Sequence, residues 1–220
     1  MGVGVNMAIL LPGKPIILNH LNTQKQCNRG GGQLKNKQGK FMNGCSNRFY
    51  INDKSLPINE NQDQVCSYWQ YQTNYYNEDF KFILGYYSNS KRTFMEYGYT
   101  KPGRSMIICL SWYNYGDIYT GLYNSDDNNK WIHYEFDWIS ASNRALMFRN
   151  GVKIIDKTIS IKLTLNTQLC IFTSGYSGYI SEVLWAPYAL HTENFTPPTE
   201  PYMWPETHLS LDQQNDIYGV

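Results

Sequence analysis

Short runs of alternating polar and apolar residues recur along the chain and constrain its fold most. Aromatic and β-branched residues fill these runs, and clusters of Gly, Asn, Asp and Pro separate them. This pattern is typical of β-strands joined by turns. No stretch of ten or more residues has a convincing helical period of 3.6. The sequence therefore predicts an all-β fold built as a two-sheet antiparallel sandwich.

Three local signals refine this prediction. Asn150-Gly151 separates two apolar runs, at 144–149 and 152–156. Both residues tolerate positive φ, so the pair predicts a tight hairpin. Residues 189–195 are expected to form one short helical turn. The segment 27–40 is rich in Gly and amides and is expected to form an exposed loop.

Composition excludes several classes of function. The chain has 220 residues, with 19 Lys+Arg against 18 Asp+Glu, so no basic field attracts nucleic acid.

Residues 1–13 carry no charge and are too short to insert in a membrane, so we expect a first strand or packing arm there. The five cysteines are an odd number, which favours buried thiols and assembly in a reducing cytoplasm.

Four segments, in chain order, resemble the laminin-G-like and concanavalin A-like jelly-roll families. They correspond to a Gly-Lys-Phe hairpin, a Trp-bearing strand, a Trp-x-His segment ending in Asn-Gly, and a closing Gly-x-Ile strand, at 38–51, 65–69, 131–151 and 178–195. The resemblance implies a jelly-roll sandwich at 39–195. An N-terminal strand and loop at 1–38 would pack on it, and a Pro-rich extended tail would follow at 196–220.

The segment 194–202 is similar to the tails of laminin-G-like modules in bacteriophage virion proteins. This resemblance implies a tail fibre, spike or decoration module that is assembled in the host cytoplasm and located in the virion. Its partners would be other virion proteins and further copies of the chain in a homo-oligomer. Tyr202, Met203 and Trp204 are large side chains in the Pro-stiffened tail. We expect them to dock on another chain, and the alternative is that Met203 and Trp204 fold back on the chain's own core.

Catalytic patterns are weak. Glycoside hydrolases of the jelly-roll type carry paired carboxylates on one strand, commonly as Glu-x-Asp-x-x-Glu. Glu135 and Asp137 share a strand face, but no third carboxylate follows, so we interpret them as part of a solvated face. His133 is expected to be packed or hydrogen-bonded, and Glu182 to be structural. The sequence predicts no catalytic residues and no enzyme.

A calcium site is a candidate at a loop of hard oxygen ligands, formed by Asp126, Asp127 and Asn128. Family members bind calcium through loops at the rim of the sandwich. The spacing does not match an EF-hand loop. An ordinary Asn/Asp turn between strands is the alternative.

An aromatic segment has the chemistry of a glycan platform, because rings stack on sugar C–H faces while Asn and Asp bond hydroxyls. It contains Trp112, Tyr113, Asn114, Tyr115, Asp117 and Tyr119. Tyr and Trp are also enriched at protein interfaces, so a packed interface between subunits is the competing interpretation.

These observations predict a non-enzymatic structural or binding module of a phage particle, with a host surface glycan as its candidate ligand. A free carbohydrate-binding lectin is the first alternative. A jelly-roll glycoside hydrolase is the second.

Overall fold

A computed structural model gives the structure of the protein. It describes residues 9–15, 17–19, 33–35, 44–46, 49–51, 61–72, 84–88, 91–99, 106–111, 118–119, 129–158, 169–171, 178–200 and 202–203.

The described residues form β-strands and one turn of 3-10 helix, at Ser140–Ser142. The strands are β1 Ile9–Leu10, β2 Ile17–Asn19, β3 Gln33–Lys35, β4 Gly44–Ser46, β5 Phe49–Ile51, β6 Gln64–Gln72, β7 Leu84–Ser88, β8 Lys91–Tyr99, β9 Met106–Ser111, β10 Ile118–Tyr119, β11 Trp131–Ile139, β12 Arg144–Arg149, β13 Val152–Thr158, β14 Leu169–Ile171, β15 Gly178–Ala186 and β16 Tyr202–Met203. The predicted all-β class is confirmed. Strand β3 lies within the segment that was expected to be a loop.

The strands form two large antiparallel sheets. The eight-stranded sheet has the order β13-β12-β11-β6-β15-β4-β3, and β2 pairs with the end of β15. The six-stranded sheet has the order β10-β9-β8-β7-β14-β5. A small parallel pair joins β1 to β16. Consecutive strands such as β11, β12 and β13 are neighbours because short turns favour antiparallel pairing.

The predicted Asn-Gly hairpin is confirmed between β12 and β13. Asn150 and Gly151 have φ of 48° and 73°, the positive values that this turn requires. The Asn150 amide donates to the carbonyl of His133 over 2.8 Å, and Asn150 Oδ1 accepts from the His133 amide over 2.9 Å. The turn is thereby tied to strand β11.

Strand β11 is buried on both sides. One face carries Ile132, Tyr134, Phe136 and Trp138, which are all buried. The opposite face carries His133, Glu135 and Asp137, which are buried as well. Antiparallel register places Val65 and Ser67 of β6 and Leu146 and Phe148 of β12 on this second face. We call it the strap face, because the segment that follows β15 crosses it.

The strap comprises residues 187–200. The expected helical turn at 189–195 is wrong, since the described backbone there is irregular. Its amides bond to other elements instead of to its own carbonyls: Leu190 N–H donates to Asp137, and Phe195 N–H donates to the Gly151 carbonyl. Long-range partners therefore replace the local hydrogen bonds of a helical turn.

Both terminal segments contribute to the core next to the strap. Leu11, Leu18, Val65, Leu184, Ala186 and Tyr202 form one buried cluster, with Tyr188 and Leu190 packed against it. The Tyr188 hydroxyl donates to the Gly13 carbonyl over 2.7 Å. The N-terminal segment thus packs on the sheet.

Tyr202 lies in the chain's own core and is 4% exposed. The expectation that this side chain docks on another chain is therefore wrong, because Tyr202 packs in the buried cluster with Leu11, Leu18 and Leu184 of its own chain. The Met203 backbone pairs with Leu10 in the β1–β16 pair. Trp204 lies outside the described residues, and its docking stays a prediction. No helix in the described part of the chain is long and apolar enough to cross a membrane.

Replacing Tyr202 tests whether the tail belongs to the domain. Tyr202→Ala leaves a cavity among Leu11, Leu18 and Leu184, so we expect unfolding to become easier by about 3 kcal/mol. Tyr202→Phe keeps the ring, so we expect a cost within about 1 kcal/mol. Urea denaturation of both variants measures the difference. Equal stability of Tyr202→Ala and the wild type would contradict the packing described here.

Candidate functional site

A cluster of acidic and histidine side chains lies between β11 and the strap. Glu135 is 1% exposed and Asp137 is 0% exposed. The interpretation of these residues as part of a solvated face is therefore wrong. They alternate correctly along the strand, but the strap covers the face that carries them.

Asp137 holds the strap through its backbone. Its Oδ1 accepts from the amide of Leu190 over 2.7 Å and from the amide of His191 over 3.4 Å. Hydrogen bonds from backbone N–H groups to a carboxylate are strong when they are shielded from water. Asp137 therefore satisfies two strap amides that would otherwise be buried without a partner.

Glu135 holds the strap through a side chain. Its Oε1 lies 2.5 Å from Nδ1 of His191. Burial lowers the pKa of His191, although the charge of Asp137 opposes this shift, so the imidazole is neutral at pH 7. A neutral imidazole with its proton on Nδ1 donates to Glu135 in this geometry.

Both carboxyls favour the protonated, neutral form. Burial raises the pKa of Glu135 to about 8. Burial and the charge of Glu135 raise the pKa of Asp137 well above its usual range. Glu135 Oε2 and Asp137 Oδ2 have no hydrogen-bond partner among the described residues. Protonation removes buried charge at these oxygens.

Neighbouring groups confirm that the cluster is closed to water. Cys66 is a buried free thiol, as predicted for it, and burial, followed by the charges of Glu135 and Asp137, raises its pKa. Burial and the charge of Glu135 likewise raise the pKa of Tyr202. His133 is 0% exposed, and burial lowers its pKa to about 3. Each shift opposes charging, because water does not reach this region.

Phe195 anchors the far end of the strap. Its ring stacks on His191 with centroids 3.7 Å apart and planes within 8°. Its edge contacts involve Phe148 at 5.2 Å and His133 at 5.8 Å. The Phe195 carbonyl approaches Gly151 so closely that a Cβ there would lie 1.9 Å from its oxygen. Only glycine fits this contact, which couples the hairpin turn to the strap.

The arrangement is suited to sealing the strap rather than to catalysis. Glycosidases keep their two carboxyls about 5 Å or more apart and open to substrate. Glu135 and Asp137 are instead buried. Among the described residues, no group of three or more His, Cys, Asp or Glu side chains could hold a metal ion.

The site residues predicted from sequence lie largely elsewhere. Of the aromatic segment, Tyr119 lies in β10, the edge strand of the six-stranded sheet, where it pairs with Ile107. Residues 112–115 and 117 lie outside the described residues, as do Asp126, Asp127 and Asn128. The glycan platform and the calcium site therefore stay predictions.

Sequence reasoning missed the strap contacts. Leu190, His191 and Phe195 were placed in a helical turn, whereas they contact Asp137, Glu135 and Phe148. One usable signal was present, since Glu135 and Asp137 each lie between two aromatic residues in the sequence.

Comparisons with known proteins show the fold alone. No protein-family model matches the sequence, and no curated protein matches it. Domain 4 of AbnA, a GH43 extracellular arabinanase from Geobacillus stearothermophilus solved in complex with arabinotriose, is similar at a TM-score of 0.54 and 14% identity. The similarity covers 80% of this chain and 82% of that domain.

Botulinum neurotoxin binding domains are similar as well. The DC binding domain in complex with rat synaptotagmin II gives a TM-score of 0.57 at 12% identity over 80% of this chain. The DC binding domain in complex with SialylT gives 0.51 at 14% identity over 74% of this chain. The chain spans 49% and 43% of those two structures, which is less than half of their length. The neighbours confirm a β-sandwich of the kind found in binding domains.

The raised carboxyl pKa values make stability depend on pH. Glu135 has a pKa of about 8 in the folded chain and 4.5 as its ordinary value, so the folded chain binds more protons between these values. Stability must then fall as pH rises towards 8, and the raised pKa of Asp137 acts in the same direction. His133 and His191, whose pKa values are lowered from 6.5, act in the opposite direction, and their effect fades above about pH 7. We expect unfolding free energy to fall from about pH 7 to 8, by up to about 1.4 kcal/mol per pH unit for each of the two carboxyls.

Two variants separate this effect from general charge effects. Glu135→Gln keeps a side chain that can donate to Asp137, so we expect it to flatten the decrease. Asp156→Asn is the control, because Arg144 holds the pKa of Asp156 at about 2 and it does not titrate in this window. Urea denaturation at several pH values measures the slope. A wild type whose stability rises across the window would contradict the raised pKa values of the two carboxyls.

Proposed function

We propose that this chain is a non-enzymatic binding module of a virus particle, a phage tail fibre, spike or decoration module, which binds a host surface glycan. The fold supports a binding role, because similar folds were solved with arabinotriose and with synaptotagmin II. The resemblance of residues 194–202 to phage virion modules supports the particle.

The burial of Glu135 and Asp137 is the observation that best supports a non-enzymatic function. They are the carboxyl pair that shares a strand face, and both are sealed under the strap. A polysaccharide cannot reach them unless the strap and Phe195 leave the sheet. Hydrolysis by this pair would therefore require the loss of the contacts that hold the fold together.

Two neighbours support a glycan as the ligand. Domain 4 of the arabinanase was solved with arabinotriose, and one neurotoxin binding domain with SialylT. Nineteen tyrosines in 220 residues give this chain many rings that can stack on sugars and bond to hydroxyls. Binding through such rings needs neither a metal nor a charged side chain.

A glycan array tests the ligand. We expect the purified chain to bind at least one oligosaccharide and to release no reducing ends from it, because the carboxyl pair is closed. Glu135→Gln should bind the same oligosaccharide as the wild type. Reducing ends that appear with the wild type and vanish with Glu135→Gln would establish the hydrolase instead. A chain that binds nothing on the array would contradict glycan recognition.

Particle content separates a virion module from a free lectin. We expect antibodies against the chain to label purified virus particles, with a constant copy number per particle by quantitative mass spectrometry. A closed homo-oligomer fits such an assembly, and its native mass would be a whole multiple of the chain mass. A protein that is absent from particles and accumulates free would favour the lectin.

A further inference from the structure

A row of rings continues along the strap face beyond Glu135. We call Trp69, Tyr71, Trp131 and His133 the aromatic row. Trp131 lies opposite Tyr71, and His133 lies opposite Trp69, in the register of β11 and β6. The ring centroids are 5.6 Å apart in the first pair and 5.2 Å in the second. Two neighbouring strands thus place four rings side by side on one face.

The row changes from buried to accessible along its length. His133 is fully buried and contacts Phe195 of the strap. Trp69, Tyr71 and Trp131 are partly exposed. The sealed acid cluster therefore lies at one end of this face, and large rings reach solvent at the other end.

Several ring nitrogens in the row have no hydrogen-bond partner. They are Nε1 of Trp69, Nε1 of Trp131, and both Nδ1 and Nε2 of His133. Buried polar groups in folded proteins nearly always have partners, and each exception calls for an explanation. Protonation of the carboxyls accounts for the unpaired oxygens of Glu135 and Asp137, but indole nitrogens only donate and cannot be satisfied in this way.

The row is uncharged. Its three partly exposed members are Trp and Tyr, and His133 is neutral because burial lowers its pKa to about 3. The nearest charged residue in sequence, Lys130, is exposed and precedes β11. A ligand that matches this surface is neutral, presents flat C–H faces to the rings and offers hydroxyl oxygens to N–H donors.

We propose that the aromatic row is the site at which this chain binds a neutral oligosaccharide. Tyr71 and Trp131 stack on the sugar, and the indole N–H groups of Trp69 and Trp131 bond to its hydroxyls as the rings adjust around it. The inference rests on the proposed glycan-binding function and gives it a place and a ligand class. It locates binding on the eight-stranded sheet, whereas Tyr119 lies in β10 at the edge of the six-stranded sheet.

Titration with the best neutral oligosaccharide from the array tests the row. We expect Trp131→Ala and Trp69→Ala each to weaken binding about tenfold, since each removes one stacked or bonded ring. Tyr71→Phe keeps its ring and should bind within about twofold of the wild type. Trp112→Ala and Tyr115→Ala test the competing platform, and Val152→Ala, at an exposed position of β13, is the control that should leave binding unchanged.

Footprinting of the wild type gives a second measurement that needs no variant to fold. Hydroxyl-radical oxidation of Trp69 and Trp131, read by mass spectrometry, should fall when the oligosaccharide is present. Binding that persists in Trp69→Ala and Trp131→Ala but is lost in Trp112→Ala would overturn the row and leave the proposed function intact. No binding by the wild type would overturn both. A native mass that drops to a monomer in Trp131→Ala would identify the row as a subunit interface instead.

Discussion

The burial of Glu135 and Asp137 is the constraint on which this face of the sandwich depends. Two carboxylates with almost no exposure cannot both be charged at such close range without a large cost. Their raised pKa values favour the neutral forms, which avoid that cost, and Asp137 can still accept from the amides of Leu190 and His191. The strap can then close over the sheet, which brings Phe195 onto Phe148 and His133.

Burial on both faces sets β11 apart from an ordinary antiparallel strand, which commonly has one face in water. The strap, the N-terminal segment and Tyr202 form an additional layer over the eight-stranded sheet. This layer explains why segments that lie outside a minimal sandwich belong to the core. It also explains the close contact at Gly151, since the strap passes over the hairpin turn at Phe195.

The sequence predicted strands better than it predicted their surroundings. Strand β12 was predicted with its observed bounds, 144–149, because its apolar run ends at an Asn-Gly turn that has one favoured geometry. Alternation also placed Glu135 and Asp137 on one face. It could not show whether that face is solvated, since the cover comes from His191, more than 50 residues away in the chain. The strap lacked a recognisable period because its hydrogen bonds are long-range. Tyr202 was misplaced for a similar reason: proline content describes the local backbone but not the partner of a side chain.

Strand β11 carries the sealed carboxyl pair and part of the proposed binding row on one continuous face. From Asp137 to Trp131, alternate residues change from a sealed carboxyl pair, through a buried imidazole, to a partly exposed indole. His133 contacts Phe195 of the strap on one side and Trp69 on the other. The ring of Phe195 therefore supports the aromatic row through His133. A flat ring surface recognises a ligand well only when its rings are held in place before binding. The strap supplies that rigidity, because it fixes His133 from above while β6 and β12 fix β11 from its edges. We infer that the buried carboxyl pair acts on the proposed binding site indirectly, by holding the strap that positions the aromatic row.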